Sequence, residues 1–280
     1  MSEEIVARIA RAAGVPELAE VLAERLTPTD LQSLLLEVYR RRAAALTPSD
    51  LARRYEASRF VAPSPLDPAA LLELDRLAFS LLPSGYEALE LSPVAPLGTS
   101  AVLGGLSQDW AVSTSRNTEV LSDSTNVLAL ECARRRRADG ASRVKLAAAH
   151  RVLRGQRYDD PLLRPHFRLF GLCAAGRNTG SWQFEADELA EQLDFHLRLL
   201  AAAGVEAPRA AVTPLAEGIE ERVLLPLAER LPVVIDRNRE RGRGYYVGAC
   251  FAIFETRSTS STAASSRGRR SSSATTRSAS

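Results

Sequence analysis

Apolar residues at intervals of three and four alternate along this chain with shorter runs of β-branched and aromatic residues, the signature of mixed helix and strand. The first 58 residues predict four helices, at 3–13, 16–25, about 29–45 and 50–57. Gly14 is placed to end the first, and Thr47 or Ser49 to cap the last. Ala62-Pro63-Ser64-Pro65 cannot continue a helix and reads as a linker. Asp67 and Pro68 then open a helix over 68–82, and the run Gly85 to Ser92, stopped by Pro93, predicts a strand. Residues 97–105 read as a glycine-punctuated loop, 111–115 as a short strand, and 127–136 as a helix capped from Asp123, Ser124 or Thr125. A strand at 144–149 leads into a hairpin of two runs, 151–154 and 166–173, and Leu189, Leu193, Leu197 and Leu200 mark a strong helix over 186–203. Residues 210–235 predict strand, helix (217–230) and strand (232–235), and the aromatic run to Glu255 predicts a last strand.

Composition narrows the chemistry. Lysine occurs once, at Lys145, so no Gly-Lys-Ser/Thr phosphate loop exists and one side chain alone could form a Schiff base. Cys132, Cys173 and Cys250 are far apart in apolar surroundings and predict free buried thiols in a reducing compartment. The three histidines, His150, His166 and His196, show no metal spacing. The glycines at Gly242 and Gly244 precede an aromatic run, not a helix, which argues against a dinucleotide fingerprint. From residue 256 on, serine and threonine fill 15 of 25 positions and no large apolar residue occurs, so residues 256–280 are expected to be a disordered tail. Taking that tail's five arginines from the net charge of +2 leaves −3 for residues 1–255, so the folded part is not drawn in bulk to nucleic acid. No apolar run approaches the roughly 20 residues of a membrane span, and the first residues lack a signal pattern; a cytoplasmic protein with no membrane partner is expected.

The hairpin carries the candidate chemistry. Arg154, Arg157, Arg164 and Arg168 stand on or beside it, and guanidinium forks suit a phosphate or carboxylate. An ordinary solvated hairpin explains these residues equally well.

The order of the pieces resembles the catalytic core of class II aminoacyl-tRNA synthetases, in the histidyl branch that also contains the regulatory subunit of ATP phosphoribosyltransferase. Gly85-Tyr86 to Pro93 is similar to the motif 1 strand. Asp123-Ser124-Thr125 stands where the family holds its substrate's amino group. Arg154-Gly155-Gln156 resembles the motif 2 Arg-x-Glu, whose arginine grips the α-phosphate of ATP, and Phe167-Arg168-Leu169-Phe170 resembles the Tyr-Arg-Glu-Phe of the return strand. Arg241-Gly242-Arg243-Gly244-Tyr245-Tyr246 is similar to the branch's Arg-Gly-Leu-Asp-Tyr-Tyr, followed by Phe251.

The resemblance implies an α+β fold, an antiparallel sheet flanked by helices, over 67–255, behind a helical N-terminal segment at 1–61. It implies a homodimer through residues 68–93, ATP with Mg if the chain is catalytic, and Arg154 and Arg241 as catalytic groups. Arg154, Gln156 and Arg168 would bind nucleotide; Asp123, Thr125, Arg241, Tyr245 and Tyr246 would bind substrate. Departures are several: Gln156 and Leu169 replace acids, Leu172 replaces a glutamine, Gly244 an aspartate, and Ala252 an acid. Motif 3 is not found after Glu255, nor an anticodon-binding domain, so tRNA is not expected as a partner. The expectation is therefore a non-aminoacylating binding or regulatory subunit for a nucleotide or amino-acid-like ligand, working with an enzyme partner. The alternative is an ATP-dependent ligase that adenylates a carboxylate.

Overall fold

The structure is a computed structural model that describes residues 3–140, 142–157, 163–177, 180–240, 246–255 and 278–279. The N-terminal segment comprises α1 (Glu3–Ala13), α2 (Leu18–Glu20, continued by a π turn at Val21–Arg25), α3 (Pro28–Ala44) and α4 (Pro48–Ala57). Local chemistry accounts for their ends. Gly14 adopts φ +69°, and Thr47 with Asp50 forms a reciprocal capping box. The run Arg40 to Arg42 is exposed, with Arg40 and Arg41 paired to Glu37.

Next comes α5 (Pro68–Ser80), capped by the Asp67 side chain on Ala69 N at 3.0 Å. The strand expected over 85–92 is much shorter: β1 is Glu87–Ala88, laid parallel against Leu146 and Ala147. Strands β2 (Val94–Pro96) and β3 (Thr118–Val120) pair antiparallel, and the 111–115 strand reduces to a bridge from Ser113 to Glu119.

The loop expected at 97–105 instead contains a helix, α6 (Thr99–Gly104), with Gly98 at φ +88° and Gly105 at φ +59° on its two ends. Its organiser lies some 20 residues away. The buried Glu119 carboxylate accepts from Gly98 N (2.9 Å), Ser100 N (2.8 Å), Ser100 Oγ (2.6 Å) and Gln108 Nε2 (2.8 Å). Burial raises the pKa of this carboxyl, but those donors outweigh it and hold the group below its ordinary value.

Helix α7 (Ser124–Asp139) starts at the Asp123 cap and precedes the central hairpin. The two expected strand pieces at 144–154 form one strand, β4 (Arg143–Leu153), paired antiparallel over its whole length with β5 (His166–Gly176). Strand alternation divides the hairpin's faces. Leu146, Ala148, Val152, Cys173 and Ala175 pack with Leu128 and Cys132 of α7, while Ala147, Phe170 and Leu172 pack with Ala78 of α5 and with Phe195 and Leu199. All three cysteines are buried and outside any disulfide, and the Sγ atoms of Cys132 and Cys173 lie 3.9 Å apart.

Phe195 and Leu199 belong to α8 (Gln183–Ala202), a 20-residue helix without glycine or proline. Its other stripe, Leu189, Leu193 and Leu197, packs on a second sheet of β6 (Pro208–Pro214), β7 (Val233–Ile235) and β8 (Ala249–Glu255). Strand β6 is central, parallel to β7 and antiparallel to β8. Between β6 and β7 lie a π turn at Glu220–Leu224 and α9 (Leu225–Arg230). Thus α8 bridges hairpin and second sheet. Most of the tail at 256–280 lies outside the described residues; Ser278–Ala279 forms β9, parallel to β5. Among the described residues no helix is long and apolar enough to cross a membrane.

Two outcomes follow from α8. Phe195 is fully buried and its ring centroid is 5.6 Å from that of Phe170, so Phe195→Ala should cost about 3–5 kcal/mol in chemical denaturation. Because both sheets share the helix, the variant should still unfold in one transition. The His196 ring lies between Phe195 and Phe251, at 5.1 and 6.0 Å, and burial pushes its pKa down to about 4. A depressed histidine pKa means that the unfolded chain takes up a proton first as pH falls. Stability should therefore be complete above about pH 6.5 and decline toward pH 4, by up to about 3 kcal/mol. A titration of urea midpoints should show this slope in the native chain and a shallower one in His196→Asn.

Candidate functional site

Arg154 follows β4 directly and points to the N-terminus of α7. Its Nε donates to Ser122 O at 2.9 Å, its Nη2 lies 3.4 Å from Asp123 Oδ2, and its guanidinium stacks on the Phe167 ring with 5.0 Å to the centroid. Asp123 Oδ1 also accepts from Thr125 N at 2.9 Å and Thr125 Oγ1 at 2.7 Å. Three expected site residues, Arg154, Asp123 and Thr125, are therefore brought together. They are bound to one another.

The neighbouring loop is held at close quarters. Gly155 N donates to Trp110 O at 2.6 Å, and a Cβ on Gly155 would come within 2.9 Å of that oxygen. A side chain there would force the backbone apart. The backbone carbonyl of Gln156 accepts from Arg59 Nη1 at 2.8 Å, and Gly155 O accepts from the same guanidinium.

Arg168 stands apart from this group. Consecutive residues of a strand face opposite ways, so while Phe167 lies under Arg154, Arg168 faces α5. There its Nη2 and Nε lie 2.5 and 3.3 Å from the Asp75 carboxylate. That pairing also relieves a conflict across the hairpin, because Arg168 stands directly opposite Arg151. The strand register thus sets Arg168 and Arg154 on opposite faces of the hairpin. Arg157 and Arg164 are exposed, and Arg241 and Tyr245 lie outside the described residues.

Tyr246 is found somewhere else again, on a cavity of 230 Å³ at the seam between β5 and β8. Ala174, Gly248 and Ala249 contribute its strand walls, and Trp182, Glu185, Glu188 and Gln192 its α8 side; neither Arg154 nor Asp123 lines it. Trp182, immediately before the helix, adopts φ +61°, a sparsely populated region for a bulky residue. The Phe184 ring lies against Gly176, where a Cβ would fall 2.4 Å from it. Sequence reasoning missed this cavity. The helix pattern at 186–203 draws the eye to its leucines, and the polar stripe at 185, 188 and 192 reads as the ordinary solvent side.

Of the residues expected to hold ATP, both arginines are paired within the chain. Arg154 carries Asp123 and the Ser122 carbonyl, and Arg168 carries Asp75. Among the described residues no group of three or more His, Cys, Asp or Glu could hold a metal ion.

No family model and no curated protein matches the chain. Solved structures do. An ATP phosphoribosyltransferase regulatory subunit/histidyl-tRNA synthetase from Bacillus halodurans aligns with a TM-score of 0.54 at 14% identity, over 72% of this chain and 73% of that one. A histidine-tRNA ligase subunit from Alicyclobacillus acidocaldarius aligns with a TM-score of 0.51 at 13% identity, over 69% and 83% of the two chains. The apo histidyl-tRNA synthetase of S. aureus aligns at 14% identity and a TM-score of 0.45, over 67% of this chain and 51% of its own. With its long antiparallel hairpin, its parallel β1 and these likenesses, the chain has the class II aminoacyl-tRNA synthetase-like fold of the histidyl branch.

Proposed function

We propose that this chain is a synthetase-like paralogue that acts as a non-aminoacylating binding or regulatory subunit for a small ligand. One observation carries the reading: the guanidinium that would meet an α-phosphate is already held by Asp123 and the Ser122 carbonyl. Adenylation requires that cation to stabilise charge developing on the phosphate. To reach ATP, Arg154 would have to leave the Asp123 carboxylate, which is itself buried, and breaking such a pair costs the attraction that offsets its desolvation. Arg168, the other arginine expected on a nucleotide, is paired with Asp75 on the other face. A regulatory subunit needs neither arginine for chemistry, and its partner would be an enzyme chain. The likeness to an ATP phosphoribosyltransferase regulatory subunit makes the catalytic chain of such an enzyme the first partner to try.

The same reading places a second copy of the chain against α5. Leu72 of α5 is 69% exposed there, and Leu66, just before the helix, is 58% exposed.

Two experiments test this. Pyrophosphate exchange into ATP, run with each common amino acid, should stay at the level of the protein-free blank; robust exchange with any one of them would instead make the chain an adenylating ligase. Light scattering at micromolar concentration should give a dimer, and Leu72→Glu should give a folded monomer. A native chain that is already monomeric would remove the second copy from the account.

A further inference from the structure

The seam cavity contains acceptors that no described group satisfies. Glu188 is 3% exposed and Gln192 is 1% exposed, yet Glu188 Oε2 and Gln192 Oε1 accept no hydrogen bond, and neither does the buried Oε2 of Glu185. All three residues line the cavity. Positions 185, 188 and 192 share one stripe of α8, so the three oxygens stand above one another along the helix.

Their partners elsewhere explain why these oxygens are left over. Arg143 Nε donates to Glu188 Oε1 at 2.5 Å and Lys145 Nζ lies 3.4 Å from that same oxygen, while Lys145 also reaches Glu191 Oε2 at 2.5 Å. Two cations of β4 thus gather on one oxygen of Glu188. The amide nitrogen of Gln192 donates to Tyr86 Oη at 3.1 Å, which leaves its carbonyl side open. Around the stripe three carboxylates, Glu185, Glu188 and Glu191, meet two cations. Among the described residues there, one negative charge is in excess.

Leaving a buried acceptor unpaired costs about 1–3 kcal/mol, more when it is charged. Three on one wall, with an excess carboxylate, call for donors and a positive charge. The rest of the lining is apolar and aromatic: Trp182, Phe184, Tyr246, Leu189, Ile219 and Val223. Aromatic faces favour cations and the methylene groups next to them. At 230 Å³ the space equals roughly eight waters at about 30 Å³ each, room for a ligand of amino-acid size.

We propose that this cavity binds a small organic cation, an ammonium or guanidinium head on an apolar body. Glu185, Glu188 and Gln192 accept from the head, and Trp182, Phe184 and Tyr246 enclose the body. The proposal rests on the ligand-binding half of the reading above and names the chemical class of that ligand. It does not use Arg154, so cation binding and pyrophosphate exchange succeed or fail separately.

Calorimetry with four probes of similar shape tests it: phenethylamine and benzamidine as cations, 2-phenylethanol as the neutral analogue and phenylacetate as the anion. The two cations should bind with Kd of about millimolar or tighter, the alcohol about tenfold more weakly, and the anion not measurably. Glu185→Gln removes charge but keeps shape, and Gln192→Leu removes an acceptor. Each should weaken phenethylamine about tenfold while leaving the thermal midpoint within a few degrees of native. Equal binding of alcohol or anion, no binding of either cation, or undiminished binding in folded Glu185→Gln would overturn the proposal.

Discussion

Everything in this molecule turns on α8 being claimed by two sheets at once. Phe195 and Leu199 seal it to the hairpin, while Leu189, Leu193 and Leu197 seal it to β6, β7 and β8. Each fully buried leucine of that stripe contributes roughly 1.5–3 kcal/mol through apolar area removed from water. A helix gripped this way on two faces cannot follow one sheet without dragging the other. Its first turns are therefore fixed at the seam, and whatever polar groups they carry are buried there.

That constraint explains why the two clusters of interest separate. The arginine of the expected phosphate site stands at the N-terminus of α7, on the hairpin face opposite α8, and is neutralised by its own neighbours. The cavity lies at the seam and is acidic where it is polar. A class II synthetase-like fold is thus retained with its hairpin cation turned inward, while a differently charged recess stands on the other side of the hairpin.

Much of the architecture is legible in the residues. Helix α1 ends where Gly14 says it should, Asp67 opens α5, and the hairpin strands pair through the segments marked by their apolar runs. What escapes is long-range. The helix at Thr99–Gly104 depends on Glu119, whose hydrogen bonds to Gly98 and Ser100 leave no trace in the spacing of 97–105. Arg168 sits one residue from Phe167, and only the pleat sends it to Asp75 instead of Arg154. The meeting of Asp123, Thr125 and Arg154 was readable through the family likeness; the cavity was not, because a polar stripe on an amphipathic helix ordinarily faces water.

The measurement that bears most directly on this account is a crystal structure of the chain with phenethylamine bound. The account places the ammonium nitrogen within hydrogen-bonding distance of Glu188 Oε2 and Gln192 Oε1, the phenyl ring against Trp182, and Arg154 still on Asp123. A ligand seated beside Arg154, or an ammonium turned to bulk water with Glu188 untouched, would contradict it.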